Sequence, residues 1–171
     1  MNDLFAGFIA IDETLTGTII TKNTTGVPTD ADSFPTCRIY GPAGVVHDVV
    51  TEYRDSGVIT GATNATPIVI TSADHGLTVG AVVVVSGVLG NTAANGTFVI
   101  SAVTTNTFTL QSSVGNGAYT SGGVWHVKGA YKYEIEATEA NGFASGENYF
   151  ALFSFAMSAS QRGIVHSFLV D

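Results

Sequence analysis

The chain has 171 residues, 45% hydrophobic and 12% charged, with six Lys+Arg against fourteen Asp+Glu and a formal net charge of −8. That length suffices for a core burying about 70% of the unfolded surface as one domain. That charge argues against a nucleic-acid groove or an anionic membrane surface, both of which need clustered cations.

The N-terminus, Met1-Asn2-Asp3-Leu4-Phe5, has no basic segment of the kind that opens a secretory signal. The apolar runs are far shorter than the roughly 20 residues that span a bilayer. We therefore expect a soluble, acidic protein made in a cytoplasm. The single cysteine, Cys37, excludes an internal disulfide framework.

In chain order, Phe5–Ala10 is apolar on both faces, as an interior strand would be. Asp12-Glu13 and Asp30-Ala31-Asp32 carry oxygen ligands that could serve calcium, but no Gly-containing calcium loop follows, so solvated loops are the expectation. Cys37 sits in the strand-like run Thr36–Tyr40 and reads as a small buried hydrophobe. Ala43–Tyr53 is a weak helix candidate, as is Ala156–Arg162. Between Gly57 and Trp125 there is no Lys, Arg or Glu, and Asp74 is the only charged residue. A charge-poor, Thr/Val/Gly-rich block between charged flanks suggests an inserted domain, 57–126, in a discontinuous host, 1–56 and 127–171.

Within the block, Asp74-His75-Gly76 marks a turn, and Val82–Val85 reads as a central strand. Asn95-Gly96, and further on Asn141-Gly142, supply the positive-φ pair that tight hairpins need. Phe108 and Leu110 alternate with threonines. Trp125 reads as a strand anchor. Tyr131, Tyr133, Ile135 and Ala137 alternate with Lys132, Glu134, Glu136 and Thr138, the pattern of a strand with one wet face. Phe150–Met157 is again apolar on both faces. The fold class is all-β.

Catalytic motifs are missing from the sequence. It holds no phosphate loop, no GxGxxG and no HExxH. His47, His75, His126 and His166 share no short metal-ligand spacing. Ser72, Asp74 and His75 have the residue types of a hydrolase triad, but triads are assembled from separate elements, and a polar turn is the expected reading. We expect no enzyme activity, no cofactor and no metal. The doubly apolar segments instead suggest assembly, with Phe5, Phe8, Phe150, Leu152, Phe153, Phe155 and Met157 as interface candidates.

The central block resembles a small β-barrel module of tailed-bacteriophage structural proteins. The module is similar to the first catalytic cysteine half-domain of ubiquitin-activating enzymes. The resemblance is carried by Ile70–Leu77, Gly80, Val82–Gly87, Gly90–Phe98, Asn106–Leu110 and Gly115–Gly123. It implies no ubiquitin chemistry, since Cys37 lies outside the block. The flanks resemble the immunoglobulin-like β-sandwich of tailed-phage virion proteins, through Phe5–Leu15, Thr29–Gly41 and Ala140–Phe143 with Gly146–Tyr149.

The resemblance implies an immunoglobulin-like β-sandwich interrupted by a small inserted β-barrel. It also implies a non-enzymatic virion structural protein, expected first as a capsid decoration or cement subunit. Such a subunit would bind the major capsid protein or other virion structural proteins. It would do so as a homo-oligomer, trimer first, assembled in the bacterial cytoplasm, with no nucleic-acid or membrane partner. The alternatives are a neck, tail or baseplate adaptor and a carbohydrate-binding module using Trp125 and Tyr119.

Overall fold

The computed structural model describes the backbone of residues 3–171 and the side chains of residues 9–171. It is all-β, with two one-turn 3-10 segments at Thr92–Ala94 and Glu139–Asn141. The chain divides into two compact units, Met1–Glu52 with Gly129–Asp171, and Tyr53–Lys128.

The first unit holds two sheets. One is five-stranded, in the order β1 (Asp3–Ile9), β15 (Ser160–Val170), β14 (Glu147–Met157), β3 (Thr36–Gly41) and β4 (Gly44–Val49). In it β1 runs parallel to β15 and the other neighbours are antiparallel. The other sheet has three strands, β2 (Thr14–Ile20), β13 (Ala130–Glu136) and β5 (Thr51–Tyr53). Strand β13 pairs with β2 through all seven of its residues. Its alternation is the predicted one: Tyr131, Tyr133 and Ile135 are buried, while Glu134 and Glu136 are exposed.

The sheets meet through aromatic rings. Tyr133 on β13 lies 4.7 Å from Phe153 on β14, and its hydroxyl is hydrogen-bonded to His166 Nδ1 on β15 at 2.7 Å. Gly17 sits opposite Tyr133 in the β2–β13 ladder, and the phenol covers it: a Cβ there would overlap the ring. Burial, with the nearby Cys37 thiol second, pushes the Tyr133 hydroxyl pKa up to about 12.

Both helix candidates are strands. Ala43–Tyr53 forms β4 and β5, and Ala156–Arg162 is the tip of the β14–β15 hairpin. These segments are short and β-branched or polar, and strand pairing supplies the hydrogen bonds a lone turn of helix could not. The hairpin turn is Ser158-Ala159, at φ 51° and 62°, with no glycine or asparagine. Asp32 explains it: its carboxylate accepts the Ser158 and Ala159 amides at 3.0 and 2.9 Å, and its own amide donates to the Ala156 carbonyl. We expect Asp32→Ala to cost about 1–2 kcal/mol. Ala159→Gly, which relieves the left-handed strain, should gain about 0.5–1 kcal/mol. Urea denaturation of the two variants checks both signs.

Neither Asn95-Gly96 nor Asn141-Gly142 makes a tight hairpin. Asn95 is extended and follows the first 3-10 turn, and its carboxamide closes a ring on the Val88 amide and carbonyl. Gly142, at φ 84°, ends the second 3-10 turn on the link between β13 and β14, which belong to different sheets.

The second unit is one seven-stranded sheet. Its order is β6 (Ser56–Val58), β12 (Val124–Val127), β9 (Val82–Ser86), β10 (Gly96–Val103), β11 (Thr107–Leu110), β8 (Val69–Thr71) and β7 (Gly61–Ala62). Its first and last strands, β6 and β7, are two residues apart in the chain, so the sheet curls back on itself around a core containing Val83, Val85, Ile100, Phe108, Leu110 and Trp125. Strand β9 is central, as its valines suggested. The unit starts at 53 rather than 57 and ends at 128 rather than 126. Tyr53 stacks on His126 at 3.7 Å, and the Val127 amide donates to the Asp55 carbonyl. A boundary drawn on charge passes over Arg54, Asp55 and Lys128. These and Asp74 are the unit's only charged residues, two of each sign, so the net charge of the whole chain lies on the first unit.

Candidate functional site

The interface candidates separate by strand parity. On β14, Tyr149, Ala151, Phe153, Phe155 and Met157 point inward and are buried; Phe150, Leu152 and Ser154 point outward. Phe153, Phe155 and Met157 are therefore core residues of the chain itself, which corrects the expectation that they meet a partner. The apolar run hid the alternation because two of its outward positions, Phe150 and Leu152, are also apolar. Phe150 is 44% exposed and Leu152 half-buried, so these two remain candidates. The side chains of Phe5 and Phe8 lie outside the described residues.

Around Phe150 the register builds a cross-strand row of Ser167, Phe150, Tyr40 and Val45, from β15 to the sheet edge at β4. Phe150 and Tyr40 are stacked, centroids 5.4 Å apart and planes 12° from parallel, and Val45 is 58% exposed. The next row is Val165, Leu152, Arg38 and Asp48. Arg38 Nε donates to Asp48 Oδ1 at 2.8 Å, a bond that holds the Asp48 carboxyl below and the Arg38 guanidinium above their usual ranges. Both groups are well exposed, so the pair orients side chains more than it stabilises the fold. Beside it lies a shallow cleft of about 470 Å³ lined by Pro35, Arg38, Asp48, Val50, Leu152 and Ser154, among others. The outward face thus presents an aromatic-apolar row bordered by a solvent-exposed ion pair.

The side chains with catalytic or ligating residue types are engaged in the fold. Ser72 Oγ accepts the Trp125 indole N–H at 2.8 Å. His75 Nδ1 accepts the Leu77 amide at 3.0 Å, so Nε2 carries the ring proton and donates it to the Thr107 carbonyl at 3.0 Å. Asp74 and Gly76 both take left-handed positions in the turn, at φ 47° and 62°. Ser72, Asp74 and His75 thus form no triad. Asp30 Oδ1 accepts the Gly129 amide at 2.6 Å, and both oxygens of Asp32 cap the hairpin described above. Asp12 takes a left-handed turn position between β1 and β2. No group of three or more His, Cys, Asp or Glu side chains gathers as a metal site among the described residues. Trp125 is 2% exposed and cannot offer a sugar a stacking face, and the Tyr119 hydroxyl donates to the Ile59 or Gly122 carbonyl. The carbohydrate-binding alternative loses Trp125 as a stacking face.

Burial, with the nearby Asp48 carboxylate second, pushes the Cys37 thiol pKa up to about 12. At pH 8 the thiolate is then on the order of one molecule in ten thousand. We expect native protein to react with Ellman's reagent at least about a hundredfold more slowly than protein unfolded in guanidinium. Comparable rates would contradict the burial.

Comparison with known proteins gives no family. No family model matches the sequence, and no curated protein matches it. Among solved structures, the chain is similar to the phage phi92 endosialidase, at 14% identity and a TM-score of 0.31, over 96% of this chain and 27% of that one. The chain thus spans about a quarter of that protein's length.

Proposed function

We propose that this chain is a non-enzymatic structural subunit of a tailed-phage particle. It docks on the head lattice through the outward face of the five-stranded sheet and assembles there as a homo-oligomer, a trimer first. The observation that carries the reading is the Phe150–Tyr40 stack. An aromatic pair, Phe150 exposed and Tyr40 half-buried, lies on the outward side of strands whose inward side chains at Cys37, Ile39, Ala151 and Phe153 are buried. Such a pair is a candidate hot spot for association and has no role in the fold's own core. The sequence resemblance of the insert and flanks to tailed-phage virion modules supplies the particle. The hydrogen-bonded state of Ser72 and His75 and the burial of Cys37 favour a binding over a catalytic role.

Mixing purified protein with heads and sedimenting them tests the reading. We expect the wild type to pellet with heads. Phe150→Asp should keep its circular dichroism and melting temperature but bind about thirtyfold more weakly, the loss typical of an aromatic hot spot. Undiminished binding by this variant, or none by the wild type, overturns the proposal.

A further inference from the structure

The sequence contains three Asn-Gly steps, at Asn95-Gly96, Asn116-Gly117 and Asn141-Gly142. Glycine leaves the following amide nitrogen unshielded, so such steps are prone to cyclise. The glycine nitrogen attacks Cγ of the asparagine and forms a C–N bond. The Cγ–Nδ2 bond breaks, and ammonia leaves with the proton lost by the amide. Water then opens the cyclic imide at either carbonyl, giving aspartate or its iso-linked form. No oxidant or reductant is needed. What the reaction does need is a carboxamide free to rotate over the next amide.

The fold ties two of the three. Asn95 Oδ1 accepts the Val88 amide and its Nδ2 donates to the Val88 carbonyl, both at 2.9 Å. Gly96, next to it, opens β10 and is registered against Val85. Asn116 Oδ1 accepts the Ala93 amide at 3.0 Å and its Nδ2 donates to Thr92 Oγ1 at 2.9 Å. Asn141 differs. Its Nδ2 makes one exposed bond, 3.1 Å long, to the Glu136 carbonyl. Its Oδ1 has no hydrogen-bond partner among the described residues. The Gly142 amide is held only by the closing bond of a single 3-10 turn, to Glu139 at 3.0 Å, the kind of bond that frays first.

We propose that Asn141 is this protein's deamidation site, with Asn95 and Asn116 protected by the fold. The product places a new negative charge on the link between β13 and β14. The iso-linked form also lengthens the backbone where the Gly142 and Phe143 amides bond back to Glu139 and Thr138. Each extra side-chain bond that must break before attack slows the step by roughly fivefold.

The test is incubation of native protein at mildly alkaline pH. Peptide mapping by mass spectrometry then resolves aspartate from its iso-linked form. We expect conversion at Asn141 to lead the other two by about fivefold or more. In denaturant, where the sequence step alone matters, the three should convert at comparable rates. Native conversion at Asn95 or Asn116 as fast as at Asn141, or an Asn141 that converts only when unfolded, overturns the assignment.

Discussion

Truncating Phe153 to alanine should cost the first unit about 3–5 kcal/mol, a large fraction of the stability of a typical domain. Phe153 is fully buried, 4.7 Å from the Tyr133 ring and 5.3 Å from His166, so it sits where the two sheets meet. Its removal leaves a cavity between layers that are each pinned by strand pairing and cannot easily close over it. It also loosens the Tyr133–His166 hydrogen bond, whose donor and acceptor are both buried. Calorimetry of Phe153→Ala beside Phe150→Asp separates two roles that the sequence ran together. The first should melt early, and the second should melt like the wild type yet bind poorly. A Phe153→Ala protein that melts normally would place that ring outside the core.

The second large effect is at Trp125, where substitution by alanine should cost the insert about 3–5 kcal/mol. The indole is 2% exposed, packs edge-on to Phe108 at 5.7 Å and to His75 at 6.4 Å, and donates to Ser72. Gly57 is a glycine because the indole lies against it: a Cβ there would meet Trp125 Nε1 at 2.9 Å. Trp125→Phe keeps an aromatic core but strips Ser72 of its donor, and should cost about 1–3 kcal/mol. As Trp125 is the only tryptophan, its fluorescence reports unfolding of the insert in the wild type. Circular dichroism then follows the variants. Unchanged melting of Trp125→Ala would show that the curled sheet is held by something other than this ring.

Much of the architecture was legible because strand periodicity is a local signal. Tyr131-Lys132-Tyr133-Glu134-Ile135-Glu136 alternates in the sequence and alternates in burial. Phe108 and Leu110 are buried between half-buried threonines for the same reason. Long-range arrangements left no such trace. The Ser158-Ala159 turn carries no turn signature because its conformation is imposed by Asp32, 126 residues away in the sequence. Asp30 and Asp32 look like idle carboxylates until the amides they accept are in view. Asn95-Gly96 has the letters of a hairpin, yet its asparagine is engaged in a ring with Val88. The candidate face was half legible. Phe150 and Leu152 could be named, but Tyr40, Val45 and the Arg38–Asp48 pair join them only through the register of β3 and β4. A row across four strands has no sequence spacing from which to read it.

The most direct test of the proposed function is to look for this chain in purified tailed-phage particles whose genome carries its sequence and to count its copies by quantitative mass spectrometry against the major capsid protein. A head-bound structural subunit predicts hundreds of copies per particle, in fixed ratio to the capsid protein and lost when heads are removed. A chain absent from the particle, or present in a few copies that stay with the tail, would contradict docking on the head lattice.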